Sequence, residues 1–479
     1  MLRAVPARGR VFAAAALLAL ASLALAAPAA YAGAVPSCGF AAGVVTVSLP
    51  TDSEAMLFVD AGSGAISLFD GLTTTDCGGT NVDTDTVNVT GSTGAEVIAV
   101  NATFGAFGPG LTAEADDDEV EVNIDLEGGA SDEVQYEGTS LADTVSTNAT
   151  GVKTNTDSDV DITVADSEHL SLFGNGDDDT ITTSLAPTGV TQTWLVGDAG
   201  DDTITAGSLT DLVDGADGDD VLNGGSGNDS VRGGDGLDTT NGGSGTDLLI
   251  ASYGGDSGVD PTQGMRVDFT KNPITNDGWG NADSQPLGFE GATGTAFNDT
   301  LKGTSKVESF TGGDGNDTIN GQGGNDTLTG GNGNDTLNGS YGNDTINGGA
   351  DDDTILAGDG DDTVTAGTGT DVIDFSATTN KVIVNLTAGT ADGQGTDTLS
   401  GFENAIGTNY ADTIRGTGTA NVLTGKAGND SLIGLAGSDT LTGGDGRDSL
   451  NGGDGEDTCA GGPGSPDTGT SCETETGIP

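Results

Sequence analysis

The sequence predicts an all-β fold in which a ribbon of short strands coils into a β-solenoid. Three observations carry this prediction: a nine-residue period runs through most of the C-terminal two thirds, glycine accounts for 84 of 479 residues, and aromatic residues make up only 4%. Glycine is present at more than twice its usual share of about 7%, which disfavours long helices and a conventional aromatic-rich core. No strict Gly-X-Y period occurs, so a collagen triple helix is excluded.

The charge balance predicts a positively charged partner. The chain has 75 acidic and 13 basic residues, a formal net charge of −62. A chain with this charge extends by self-repulsion unless a cation neutralises its carboxylates. Nucleic acid is disfavoured as a partner, because a polyanion would meet almost no Lys or Arg to replace its counterions, and we expect none.

Residues 1–32 are predicted to be a secretory signal peptide. Arg3, Arg8 and Arg10 precede an apolar run of 16 residues, Val11 to Ala26, and Ala30-Tyr31-Ala32 matches an A-x-A cleavage site. The alternative is a transmembrane anchor, but the run is shorter than the roughly 20 residues that span a bilayer. We therefore expect a secreted, extracellular protein that does not insert into membranes.

The four cysteines form an early pair, Cys38 and Cys77, and a late pair, Cys459 and Cys472. In an oxidising compartment, pairing within each group is the local choice among three possible connectivities. The alternative for Cys459 is a small buried apolar residue without a bridge.

The nine-residue repeat runs without a break in register from Gly312 as GGDGNDTIN, GQGGNDTLT, GGNGNDTLN, GSYGNDTIN, GGADDDTIL, AGDGDDTVT and AGTGTDVID. An acidic residue fills the sixth position of each unit and an aliphatic residue fills the eighth. The same register occurs before and after this block, so three arrays are present. The sixth-position residues are Asp202, Asp211, Asp220, Asp229, Asp238 and Asp247, then Asp299, Glu308, Asp317, Asp326, Asp335, Asp344, Asp353, Asp362 and Asp371, then Asp412, Asn421, Asp430, Asp439, Asp448 and Asp457.

Each unit combines a Gly/Asn/Asp-rich turn with a three-residue strand that points one apolar side chain inward. A helix is excluded, because a nine-residue period does not place single apolar residues on one helical face. Two units make a coil of 18 residues, so turns two repeats apart lie on the same edge, about 4.8 Å apart. Pairs with this spacing number four in the first array, five in the second from Asp317, and four in the third.

Stacked turns bring carboxylates together, which favours a hard divalent cation. Carboxylate and carbonyl oxygens are the ligands of calcium, whereas magnesium requires stricter geometry and retains its waters. Neutralising the carboxylates matters because the hydrophobic core of each unit is small. One buried aliphatic residue per unit stabilises the fold by about 1.5–3 kcal/mol, while ordering the nine residues of the unit costs about 1–2 kcal/mol for each residue.

Units such as GGDGNDTIN, GGNGNDTLN and GGSGNDSVR resemble the RTX, or haemolysin-type, calcium-binding nonapeptide repeat, G-G-x-G-x-D-x-U-x. The resemblance covers roughly residues 174–464 and implies a right-handed parallel β-roll. It also implies that the sixth-position aspartates and the turn carbonyls hold Ca²⁺. Departures at Asn421, Gln322, Ser340 and Tyr341 predict weakened or empty sites, and Thr240 is a poor residue for a core position.

The predicted organisation has eight parts, with two inserts that resemble each other. We interpret the inserts as wider coils of the same solenoid; the alternative is a hinge between separate rolls. Residues 33–173 alternate apolar and polar residues, which fits either an irregular solenoid or a separate β-sandwich. The parts are a signal peptide (1–32), an irregular β-rich region (33–173), array 1 (174–250), an insert (251–293), array 2 (294–375), an insert (376–408), array 3 (409–464) and a tail (465–479).

Catalytic signatures are absent from the sequence, so we expect no enzyme. The single histidine, His169, excludes H-E-x-x-H zinc proteases, and no G-x-S-x-G motif occurs. The leading function is a secreted calcium-binding protein with a structural or adhesive role and an unidentified cell-surface or polysaccharide partner. The alternatives are an extracellular polysaccharide-acting enzyme and a module that binds a surface such as ice. The last would need a regular ladder of exposed threonines such as Thr318, Thr327, Thr336 and Thr345.

Overall fold

The computed structural model describes residues 167–183, 187, 189–250, 264–270, 288–463 and 466–476, together with twelve strands between residues 37 and 165. The predicted signal peptide lies outside these residues, as do most of the first insert and the side chains of Cys38 and Cys77. The described residues form strands and turns. Among them there is no helix with the length and apolarity that a membrane crossing requires.

The chain divides into two units, one comprising residues 1–249 with 253–260 and 286–289, the other residues 250–252, 261–285 and 290–479. Each unit is a parallel β-solenoid built from two ladders, and the prediction of an all-β solenoid of nine-residue repeats is confirmed.

In the first unit, one ladder contains the strands Ser37–Ala41, Val44–Ser48, Thr86–Thr90, Glu121–Asp125, Ile162–Ala165, Gly151–Lys153, Thr144–Asn148, Thr180–Thr182, Thr203–Thr205, Val221–Asn223 and Thr239–Asn241. The other contains Thr74–Thr80, Ala65–Phe69, Glu54–Val59, Val97–Asn101, Glu133–Glu137, His169–Gly176, Gln192–Ala199, Thr210–Asp217, Ser230–Asp235 and Leu248–Ile250. A short pair, Ser226–Gly227 with Ser244–Gly245, lies in the turns.

The N-terminal region continues this solenoid with less regularity. Glu133–Glu137 pairs in parallel with His169–Gly176, the strand that precedes the first array. Antiparallel hairpins interrupt the ladders, as between Thr144–Asn148 and Gly151–Lys153. The choice between an irregular solenoid and a separate β-sandwich for residues 33–173 stays a prediction.

In the second unit, one ladder contains Arg266–Asp268, Thr300–Lys302, Thr318–Asn320, Thr336–Tyr341, Thr354–Asp359, Val372–Asp374, Asn404–Ile406, Val422–Gly428, Thr440–Gly446, Thr458–Ala460 and Thr474–Thr476. The other contains Gly291–Thr293, Ser309–Asp314, Thr327–Asn332, Thr345–Ala350, Thr363–Thr368, Thr396–Ser400, Thr390–Asp392, Ile383–Asn385, Thr413–Arg415, Ser431–Ala436, Ser449–Asp454 and Thr468–Thr470.

The second insert stays within the ladder of this unit. Ile383–Asn385, Thr390–Asp392 and Thr396–Ser400 form an antiparallel meander, and Ile383–Asn385 then pairs in parallel with Thr413–Arg415. This arrangement supports a wider coil at residues 376–408, because parallel pairing continues on both sides of the meander.

The core of each coil is the eighth-position column, as predicted. Strand pairing places Ile319 beside Leu337 and Leu328 beside Ile346. The seven residues of this column in the central block are at most 1% exposed, namely Ile319, Leu328, Leu337, Ile346, Ile355, Val364 and Ile373. Since flanking strand residues point outward, the core is one side chain wide on each ladder.

The late cysteines are bridged. Cys459 occupies an eighth position, is fully buried and forms a disulfide with Cys472, with the two Cα atoms 5.9 Å apart. The predicted local pairing of the late cysteines is confirmed.

Candidate metal centre

Rows of aspartates run along the turn edges of each unit. The backbone N–H of Asp317 donates to Oδ1 of Asp335 at 2.8 Å, and the N–H of Asp326 donates to Oδ1 of Asp344 at 2.7 Å. The same bond joins sixth-position residues in all three arrays, at 2.7–2.9 Å. Every predicted pair 18 residues apart is therefore adjacent on one edge, whereas repeats nine apart lie on different ladders.

The second carboxylate oxygen has a different environment from the first. The sixth-position aspartates are at most 2% exposed. The following residues each have one buried carboxylate oxygen, Oδ2 or Oε2, without a hydrogen-bond partner among the described residues: Asp202, Asp220, Asp229, Glu308, Asp317, Asp326, Asp335, Asp344, Asp353, Asp362, Asp371, Asp430, Asp439, Asp448 and Asp457. A buried charged oxygen without a partner is costly, so a regular row of them indicates that a cation belongs there.

The electrostatics agree with this interpretation. Burial, together with smaller contributions from the neighbouring carboxylates of Asp299 and Asp335, raises the pKa of Asp317 to about 7. Burial likewise raises the pKa of Asp220 to about 7 and that of Asp335 to about 6. Without a cation, the protein thus disfavours the ionised form of these carboxylates, which is the form that binds calcium.

The turn backbone brings further oxygens to the same place. A Cβ atom added at Gly312 would meet Oδ2 of Asp317 and lie 2.7 Å from the carbonyl oxygen of Gly330 on the next coil. The first-position glycine therefore leaves room for a carboxylate oxygen and a carbonyl oxygen of adjacent coils to converge. The second and fourth positions adopt left-handed backbone, as at Gly331 (φ 127°) and Gly333 (φ 118°), which glycine permits at little cost.

The sequence departures at Gln322 and Ser340 do not change the turn. Both have φ of 73°, in the left-handed region like glycine at this position elsewhere. Tyr341 occupies the third position with 68% of its surface exposed. The second position of both turns therefore keeps a left-handed backbone without glycine, and weaker calcium binding at these turns stays a prediction.

Three predicted ligands differ from the rest, because protein groups engage both of their oxygens. Asp211 accepts from the Thr193 hydroxyl at 2.6 Å and from the Gly207 N–H at 3.2 Å. The others are Asp299 and Asp412, which accept hydrogen bonds from threonines four residues earlier.

Sequence reasoning missed acidic residues that extend the rows beyond the regular period. Asp397 accepts from the Asp362 N–H at 3.2 Å, and burial raises the pKa of Asp397 to about 7. Asp467 accepts from the Asp448 N–H at 2.8 Å. Asp397 lies 35 residues after Asp362 and Asp467 lies 19 residues after Asp448, so neither follows the regular spacing of 18. Both are still followed by threonine, as in the strings TDTL and PDTG, like many sixth-position aspartates of the regular repeats.

The oxygen ligands in the aspartate rows fit calcium better than a metal that is held by a cluster of side chains. Among the described residues, no three His, Cys, Asp or Glu side chains come together as a metal-binding group. A cation in the rows would therefore complete its coordination with backbone carbonyls or water molecules, both of which calcium accepts readily.

Comparison with known proteins agrees with this chemistry. A family model described as the RTX calcium-binding nonapeptide repeat (4 copies) matches residues 193–222, 214–249, 303–337, 338–373, 406–441 and 433–465. The matches fall on the turns that carry the aspartate rows. No curated protein matches the chain.

Proposed function

The chain carries RTX calcium-binding nonapeptide repeats in a parallel β-solenoid, and on that premise we propose that it is a secreted protein that folds on extracellular Ca²⁺ and has a structural or adhesive, non-catalytic role. The observation that supports calcium-dependent folding most directly is the row of buried carboxylate oxygens that have no hydrogen-bond partner in the part of the chain that the structure describes.

The residues that would hold calcium are the aspartates whose Oδ2 has no hydrogen-bond partner among the described residues, together with carbonyls of the adjacent turns. Asp317 and Asp335 illustrate one such pair, joined through Oδ1 and leaving their Oδ2 atoms to a ligand. When bound, calcium supplies positive charge that compensates these carboxylates. The chain itself supplies the register, because each Oδ1 hydrogen bond fixes one turn against the next.

Secretion is supported by the predicted signal sequence and by the disulfide. Residues 1–32 have the charge, length and A-x-A motif of a secretory signal. Cys459 and Cys472 form a bridge of the kind that persists in oxidising compartments.

Two measurements test this proposal. Expression of the full chain in a secreting host, followed by intact-mass analysis of the medium, should yield a product that begins at Gly33. Equilibrium dialysis of that product should show several calcium ions bound per chain in excess magnesium. An uncleaved chain that stays in the cell envelope with residues 1–32 attached would contradict secretion. Magnesium that displaces calcium at equal concentration would contradict a calcium-specific role.

A second candidate, a surface-binding module, is favoured by one observation. Exposed threonines form an in-register ladder in the second unit, where Thr327 pairs with Thr345, Thr345 with Thr363 and Thr363 with Thr398. A regular row of hydroxyls matches an ordered surface such as ice. Ice-growth assays of the calcium-loaded protein, with Thr345→Lys as the disrupting variant, would show ice shaping that the variant loses; unaltered ice growth would reject this candidate.

A further inference from the structure

Four turns in the second unit depart from the glycine-rich pattern in the same way. Each has threonine at the second position and a residue other than glycine at the fourth. They occur as two consecutive pairs, and each pair forms one complete coil at the end of an insert. The turns are GTAFND (294–299), GTSKVE (303–308), GTNYAD (407–412) and GTGTAN (416–421).

In these turns the threonine at the second position donates hydrogen bonds to the side chain at the sixth position, which the glycine-rich turns do not provide. At the third turn, the Thr408 N–H donates to Oδ2 of Asp412 at 2.6 Å and the Thr408 hydroxyl donates to Oδ1 at 3.0 Å. At the first, the Thr295 N–H donates to Oδ2 of Asp299 at 2.7 Å. By contrast, Oδ2 of Asp335 in a glycine-rich turn has no hydrogen-bond partner among the residues that the structure describes.

The threonine hydroxyl also changes the backbone of the turn. Its oxygen accepts the N–H of the fourth-position residue, at 2.9 Å from Tyr410 to Thr408 and 3.0 Å from Phe297 to Thr295. This is the geometry of a threonine side-chain turn. None of these four residues has a left-handed backbone, whereas Gly331 and Gly333 of a glycine-rich turn do.

The fourth turn has lost the carboxylate altogether. Oδ1 of Asn421 accepts from the Thr417 N–H at 2.7 Å, and its Nδ2 donates to the Thr417 hydroxyl at 3.0 Å. An amide with both ends engaged has no charge for a cation to compensate. Glu308 is the intermediate case, since Thr304 donates to Oε1 while Oε2 has no hydrogen-bond partner within the described ranges.

The coil 407–424 is anchored on its insert side by hydrogen bonds and strand pairing to the insert. The Val382 N–H donates to Oδ1 of Asp412 at 2.8 Å, and Ile383–Asn385 pairs with Thr413–Arg415. Val382, Val384 and Ile414 are at most 1% exposed, so the insert and the coil share an apolar core.

On its other side, the same coil presents backbone donors to the third array. The Asp412 N–H donates to Asp430 and the Asn421 N–H donates to Asp439, both at 2.8 Å. The coil 407–424 therefore makes the first inter-coil hydrogen bond of each of the two aspartate rows in the third array.

We propose that the threonine turns at Asp412 and Asn421 replace calcium with the threonine hydroxyl and amide, so that the segment 382–424 folds without metal and templates the calcium-dependent third array. This inference rests on the proposed calcium-dependent folding, because it divides the turns into metal-bound and metal-free classes. The turn at Asp299 has the same hydrogen bonds and belongs to the metal-free class.

Hydrogen exchange on the full chain, followed by mass spectrometry, tests this division. In calcium-free buffer, amides within 404–424 should be protected while those of 429–460 exchange freely, and calcium should then protect 429–460. Thr408→Val should remove the protection of 404–424 in calcium-free buffer. Thr408→Ser, which keeps the hydroxyl, and Thr336→Val, at an exposed strand position, should leave it intact.

The outcomes separate this inference from the proposed function. Protection of 404–424 that arises only with calcium, at the same midpoint as 429–460, would overturn the metal-free segment and leave calcium-dependent folding standing. Equal protection of 404–424 in Thr408→Val and in the unchanged chain would also overturn it. Full protection of 429–460 without calcium would instead contradict the proposed function.

Discussion

The backbone N–H of Asp317 donates to Oδ1 of Asp335, one coil further along the chain, at 2.8 Å, and Oδ2 of the same Asp335 has no hydrogen-bond partner in the described part of the chain. One carboxylate therefore has two functions. Its first oxygen sets the register between coils and its second is available to a cation, so register and metal binding depend on the same residue.

Replacing Asp335 and Asp344 by Ala should raise the calcium concentration at the folding midpoint of the central array, by roughly tenfold or more. The double variant removes buried oxygens and inter-coil hydrogen bonds from both edges. A calcium titration followed by hydrogen exchange of residues 312–371 measures the shift. The matched control is Asp445→Ala with Asp454→Ala, which removes the same charge from exposed positions; an equal shift in this control would attribute the effect to net charge alone.

The calcium-free protein should become less structured as pH rises from about 4 to about 7. Burial raises the pKa of Asp317 and Asp353 to about 7 in the folded state, above the unfolded value of about 4. The folded state thus binds more protons in this window, and its stability is lost as pH rises. Circular dichroism in resin-decalcified buffer should show more β-structure at pH 5 than at pH 8; the opposite order would mean that the carboxylates favour the charged folded state.

Gly342→Ala should destabilise the central array by more than about 1 kcal/mol, because the fourth-position residue has φ of 130° and an added Cβ would meet the backbone carbonyl of Gly324. Gly418→Ala is the matched control, since nothing lies within 4 Å of a Cβ there and its backbone is not left-handed. Urea unfolding at saturating calcium should show a lower midpoint for Gly342→Ala only. Equal midpoints for the two variants would contradict the role assigned to the left-handed turn position.

Thr240→Val should stabilise the first array by about 1 kcal/mol, because the Thr240 hydroxyl is buried at a core position and has no hydrogen-bond partner among the described residues. Thr239→Val, on the exposed face of the same strand, controls for the general β-preference of valine. The urea midpoint at saturating calcium should rise more for Thr240→Val than for Thr239→Val. A fall in the midpoint for Thr240→Val would show that the hydroxyl is satisfied in the native state.

Much of this fold follows from two columns in the sequence. The sixth and eighth positions predict which residues are buried and which coils are adjacent, because an 18-residue coil leaves only one register. The link from Cys459 to Cys472 was also predictable, since Cys459 occupies an eighth position at the end of the last array.

Other parts of the site depend on contacts that periodicity does not encode. Asp397 joins a row only because the insert forms a meander that returns the chain to the ladder. Thr295 and Thr408 interrupt the glycine pattern, yet they satisfy the carboxylates of Asp299 and Asp412 through local turns. Such substitutions become meaningful only when the partner of each carboxylate oxygen is known.

The central claim is that calcium and folding form one equilibrium in the arrays, and a calcium titration of the full chain tests it most directly. Far-ultraviolet circular dichroism and hydrodynamic radius should be recorded together, starting from calcium-free protein at neutral pH. We predict an extended chain with most of its β signal lost, which becomes compact and gains β-structure at a midpoint near 10⁻⁴–10⁻³ M calcium. A calcium-free protein that keeps its full β signal and its compact radius would contradict the account.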